Sequence, residues 1–120
     1  MFQEANVSLQ TKNFEALLKF YQETLSFRLG FRNGNKWADL SMSGLTIGIT
    51  PTDKDLPSGE KISIGLNVAS IETAIASLKA KGVTFPDGIL ERDTARVCFF
   101  NDPDGNALYL CEVRRAFPTF

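Results

Sequence analysis

Asn6 and Ser63 stand 57 residues apart at matching places in two half-chains that read alike. The match continues at the same offset, pairing Leu9 with Leu66, Asn13 with Ser70, Phe14 with Ile71, Glu15 with Glu72 and Leu18 with Ile75. A self-match at fixed period means one structural unit built twice, so the paired positions at the mouth of each unit are the place to seek chemistry. An amide and a hydroxyl stand there. Both are neutral at pH 7 and serve hydrogen bonding better than metal chelation or proton transfer.

At 120 residues the chain is read as one domain, with a first module over about 4–50, a linker over 51–61, a second module over about 62–113 and a tail over 114–120. A hydrophobic share of 43% is too high for a disordered chain. The net charge of −1 lacks the basic excess that neutralises phosphates, so no nucleic-acid partner is expected. No apolar run nears the roughly 20 residues that span a bilayer, and MFQEANVSLQ has no basic start or apolar signal stretch. A cytoplasmic protein without a membrane partner is expected. Cys98 and Cys111 fit reduced thiols in that compartment, and the sequon Asn6-Val7-Ser8 is a chance match.

The same short grammar occurs twice. Residues 5–11 alternate as a strand does, and Asn13 then caps a helix whose stripe is Phe14, Leu17, Leu18, Tyr21 and Leu25. FRLGF, KWADLSM and LTIGIT follow as three short strands, with turns at Asn33-Gly34-Asn35 and Ser43-Gly44. PTDKDLPSGEK has two prolines and charges of alternating sign, and reads as a solvated linker. ISIGLNV opens the second unit, and Ser70 caps a helix carrying Ile71, Ile75 and Leu78 that Gly82 ends. A strand is predicted at Val83-Thr84-Phe85, then a polar loop over 86–94, then strands ARVCFF and ALYLCEV joined by Asp102-Pro103-Asp104-Gly105-Asn106.

Alternation assigns the faces. Val7, Leu9, Ile64 and Leu66 lie under the helices, which sends Asn6, Ser8, Gln10, Ser63, Gly65 and Asn67 to the other side. Leu108 and Leu110 belong to the helix side, so Tyr109 and Cys111 face the polar side. By the same parity Trp37 and Asp39 face it too, with Ala38 and Leu40 behind. The strand 95–100 is apolar on both faces, so pattern alone leaves its parity open.

Paired strand–helix–three-strand units, Phe20-Tyr21 near the first helix end and the closing FFNDPDGNALYL together resemble the vicinal oxygen chelate superfamily, over about Asn6 to Glu112. That group includes glyoxalase I, extradiol dioxygenases and the bleomycin-resistance proteins. The resemblance implies an α+β fold of two βαβββ modules in tandem, forming a curved mixed sheet around a cleft. It places metal ligands at Asn6, Ser63 and Tyr109, with a fourth acidic ligand near Gly48. None of these is a usual ligand, and the chain has no histidine. Divalent metals are held by imidazole, carboxylate or thiolate, so no metal and no cofactor is expected. The resemblance also puts an aromatic, Phe99, toward the substrate, and its members commonly pair as homodimers.

Two functions remain. One is a metal-independent binder that sequesters an aromatic or planar small molecule, with Asn6, Trp37, Asp39, Ser63, Asn67, Phe99, Tyr109 and Cys111 as ligand-binding residues. Against it, Trp37 and Phe99 can be ordinary packing, and Tyr109 can plug the space a metal would fill. The other is a glyoxalase- or dioxygenase-like enzyme working without metal or with unusual ligands, in which Cys111 is a nucleophile or Asp39 a general base. A thiol nucleophile needs a nearby cation or base, for which Arg96 is the candidate.

Overall fold

In the computed structural model, which describes residues 1, 3, 5–56 and 62–114, the chain divides into two compact units, Met1–Pro57 and Ser58–Phe120. Each follows the order strand, helix, three strands. The first unit has β1 (Val7–Thr11), α1 (Phe14–Lys19), β2 (Arg28–Asn33), β3 (Trp37–Met42) and β4 (Leu45–Pro51). The second has β5 (Ser63–Asn67), α2 (Ile71–Ala80), β6 (Leu90–Glu91), β7 (Ala95–Asn101) and β8 (Ala107–Val113). The linker residues 57–61 and the tail aromatics Phe117 and Phe120 lie outside the described residues.

Both caps form where the sequence places them. Asn13 Oδ1 accepts from the Ala16 amide at 3.4 Å, and Ser70 Oγ accepts from the Thr73 amide at 3.3 Å. At the far end of α2, Gly82 takes φ 93°. Its amide donates to the Lys79 carbonyl while the Val83 amide donates to that of Leu78, a Schellman closure with both apolar partners buried. The end of α1 was not legible: Phe20–Thr24 widens into a π-type turn, in which the Leu25 amide reaches the Phe20 carbonyl at 3.0 Å. The turn holds Tyr21 fully buried, edge-on to Phe20 and Phe27 at 5.5 Å each.

Each unit has a mixed four-stranded sheet, ordered β1-β4-β3-β2 and β5-β8-β7-β6. The first and last strands of each unit lie parallel (β1 with β4, β5 with β8), and the remaining pairs are antiparallel. One face of each sheet carries the helix. Phe14, Leu17, Leu18, Tyr21, Ala38, Leu40, Ile47 and Ile49 are buried in the first unit, and Ile64, Ile71, Leu78, Cys98, Phe100, Leu108 and Leu110 in the second. The alternation reading of the leading and closing strands therefore holds. It also settles β7: Cys98 and Phe100 are buried, which leaves Val97 and Phe99 for the other face. Burial pushes the Cys98 thiol above its ordinary pKa.

Two expectations need correction. Val83-Thr84-Phe85 is no strand; Val83 is buried as the helix-closing contact, and Phe85 packs edge-on against Phe100 at 5.4 Å. The strand that follows α2 is instead the two-residue β6, inside the stretch read as a polar loop. Ile62, the first residue of ISIGLNV, lies outside the strand, because β5 begins at Ser63 and Ile62 is 67% exposed.

An ionic cluster ties α2 to its sheet. Arg96 lies on the helix side, against Glu72 at 2.8 Å, Glu91 at 3.1 Å and Glu112 at 3.5 Å. Glu112 Oε1 also accepts from the Ile71 amide at 2.9 Å, adding a second cap to α2. Hydrogen bonding to its own backbone amide, and then to Arg96, holds the Glu72 carboxyl below its ordinary pKa. The fold thus favours ionised Glu72. Its stabilisation is complete above the ordinary glutamate pKa and fades as the pH falls through the lowered one. The melting temperature of Glu72→Gln therefore lies slightly below wild type at pH 7, and the gap closes in acid. A gap that stays constant with pH would contradict this.

Candidate functional site

The predicted site residues fall on the open faces of two sheets, one set in each unit. In the first unit Ser8, Gly48, Asp39 and Phe31 face one another across successive strands. Trp37 lies one alternation step from Asp39, and its indole Nε1 donates to Asp39 Oδ1 at 2.6 Å. That bond lays the ring over Gly48: a Cβ at this position would come within 2.2 Å of Trp37 Cη2 and 2.3 Å of Cζ2. Gly48 is buried in consequence. Asn6 is exposed just before β1, where its Oδ1 accepts from the Ser8 hydroxyl at 3.4 Å.

The second unit repeats the device with different residues. Gly65, Tyr109 and Phe99 are in register across β5, β8 and β7. The Tyr109 phenol occupies the space a side chain at 65 would take, 2.5 Å from such a Cβ. Phe99 leans on Tyr109 with centroids 5.6 Å apart. Ser63 and Asn67 flank Gly65 and are exposed, and Cys111 is paired with Asn67 and Val97. The strand positions of this face (63, 65, 67, 90, 95, 97, 99, 101, 107, 109, 111 and 113) carry no charged residue. The structure thus brings Trp37 and Asp39 together in one unit, and Ser63, Asn67, Phe99, Tyr109 and Cys111 in the other.

Nucleophilic use of Cys111 loses its candidate cation, because Arg96 is engaged by three carboxylates on the opposite face. Glu91 pairs with Arg96 and Arg114. The positions that the resemblance gives to metal ligands do not suit a divalent ion. Asn6 offers a neutral amide oxygen already accepting from Ser8, Ser63 a hydroxyl and Tyr109 a phenol. At Gly48 the indole fills the place of the fourth ligand. Among the described residues no three His, Cys, Asp or Glu side chains gather as a metal site.

Sequence reasoning missed three contributors. Gly48 and Gly65 were available as glycines inside strand patterns, a signal of close approach by another group. Phe31 carried no such signal: a register shift between Leu29 and Phe31 sets its face, and it emerges 58% exposed directly opposite Asp39.

Among the described residues no helix is long and apolar enough to cross a membrane. An uncharacterized protein of Mycolicibacterium smegmatis is 33% identical over 103 residues, 85% of this chain and 86% of that one. Among solved structures, a glyoxalase family protein from Enterococcus faecalis superposes with a TM-score of 0.77 at 25% identity, covering 92% of this chain and 98% of that one. TnmS3, an antibiotic binding protein from Streptomyces sp. CB03234, superposes with a TM-score of 0.77 at 23% identity, covering 94% and 97%; at that identity the likeness is one of fold. The family model for the Glyoxalase/Bleomycin resistance protein/Dioxygenase superfamily matches residues 5–110. Tandem βαβββ units, their helix caps and this match agree, and the chain belongs to that superfamily.

Proposed function

We propose that this protein binds a planar, aromatic small molecule without a metal and sequesters it rather than transforming it. The superfamily spans enzymes and resistance proteins, so the fold does not choose between them and the site must. The observation that carries the reading is the pair of aromatic rings laid over strand glycines, Trp37 on Gly48 and Tyr109 on Gly65. A ring held flat against a sheet offers its outer side for stacking, and Asn6, Ser63 and Asn67 supply neutral hydrogen-bonding groups on the same faces. The neutral character of the donors at Asn6, Ser63 and Tyr109 supports the metal-independent half of the reading.

A thermal-shift screen tests both halves. An aromatic ligand at a hundred times its Kd adds about 2.7 kcal/mol of stability, a rise of several degrees in Tm. Zinc, manganese, iron and nickel are expected to leave Tm unchanged. Stabilisation by one of these metals that a chelator abolishes, or chelator-sensitive turnover of the methylglyoxal–glutathione adduct, would overturn the proposal.

A further inference from the structure

The ligand's charge can be inferred from the open face of the first sheet. Its strand positions carry Ser8 and Gln10 on β1, Thr46, Gly48 and Thr50 on β4, and Trp37, Asp39 and Ser41 on β3. Arg28, Phe31 and Asn33 complete the face on β2. Only Asp39 and Arg28 are charged, and neither has an ion-pair partner among the described residues. Arg28 is opposite Ser41, one row beyond Asp39 on the side away from Trp37. On the near side the carboxylate stands between two rings. Trp37 is hydrogen-bonded to its Oδ1 at 2.6 Å, and Phe31 sits across the strand pair with over half its surface in solvent.

We propose that Asp39, Trp37 and Phe31 form a recognition site for an organic cation, a planar ligand carrying a quaternary or alkylated ring nitrogen. The proposal rests on the stacking reading above and narrows it. A carboxylate between two aromatic groups attracts such a nitrogen twice, by charge and by the negative faces of the rings. A strongly hydrated metal ion gains nothing from the rings. An anion meets the Asp39 charge at close range. Trp37 engages one carboxylate oxygen, which leaves the other free to meet a ligand. Phe31 is 58% exposed on a sheet face, which leaves its ring accessible to a ligand.

Three probes of similar shape distinguish the possibilities by isothermal titration at pH 8: N-methylquinolinium, neutral quinoline and 2-naphthalenesulfonate. Trp37 is the only tryptophan in the chain, so quenching of its emission reports whether a probe sits on this face. N-methylquinolinium is expected to bind at least tenfold tighter than quinoline and to quench Trp37, with the sulfonate weakest. Asp39→Asn keeps an oxygen for the indole N–H. It is expected to reduce the cation preference to within twofold while changing quinoline affinity less than twofold. Phe31→Leu, which alters no buried packing, is expected to lower the cation preference about threefold. Equal binding of the cation and quinoline overturns the proposal, as does a preference for the sulfonate, a preference intact in Asp39→Asn, or binding without quenching. Failure of all three probes to bind overturns the stacking reading along with it, whereas binding without charge preference overturns the cation assignment alone.

Discussion

Replacing Gly48 by alanine is expected to lift the Trp37 indole off the sheet and abolish stacking on this face. The new methyl would lie 2.2 Å from Cη2, far inside van der Waals contact, and the strand backbone on either side is hydrogen-bonded to β1 and β3. The ring is therefore the part that yields, and leaving means breaking its 2.6 Å bond to Asp39. Overpacking of this kind costs about 1–3 kcal/mol. Tryptophan emission should shift to the red as the ring enters water, and affinity for a planar probe should fall at least tenfold. Gly30→Ala is the control, because its methyl meets only the Asp39 carbonyl at 3.8 Å, an ordinary contact. An unchanged emission spectrum in Gly48→Ala would show that the ring does not need the glycine.

The second large effect is expected at Asp102, in the turn between β7 and β8. Asp102 is 4% exposed, and its carboxylate accepts from the amides of Asp104 and Asn106 at 2.9 Å each, and from Asn106 Nδ2 at 2.8 Å. The Asp102 and Asn106 backbones close the turn further, the Asp102 amide donating to the Asn106 carbonyl at 3.0 Å, while Gly105 takes φ 85°. Asp102→Ala strands these donors in a half-buried turn, and bonds to a charged acceptor are worth about 1.5–3 kcal/mol. A loss of about 3 kcal/mol is expected, read as a lower urea midpoint at constant slope. Asp102→Asn keeps one acceptor oxygen but turns its NH2 toward that of Asn106, so it should lose about half as much. A loss under about 1 kcal/mol in the alanine variant would mean that the turn is held by its backbone alone.

Regular features with a fixed period were readable from the chain. The 57-residue offset, the caps Asn13 and Ser70, the Gly82 closure and the burial of Leu17, Leu40, Leu108 and Leu110 all follow from periodicity or from a residue's local hydrogen-bonding capacity. What broke the period was hidden. The β2 bulge, the π-type turn after α1 and the brevity of β6 each depend on contacts made after the sheet has formed. At the site, parity gave the correct side for Trp37, Asp39 and Tyr109 but not the direction of their rings. Those directions come from neighbours on adjacent strands, diagonal for Trp37 over Gly48 and directly opposite for Tyr109 over Gly65, which a linear pattern does not encode.

The placement of the closing strands bears on how the protein is made. β4 and β8 are the last strands of their units, yet each sits inside its sheet and, among the described residues, is the only strand paired with the opening one. During translation β1 must wait for β4, and β5 for β8, so neither sheet can assemble progressively. The first unit can close while the second is still being synthesised. A chain interrupted before Ala107 would hold a finished amino-terminal half followed by β5 with no hydrogen-bonding neighbour, a species prone to aggregate and to be degraded.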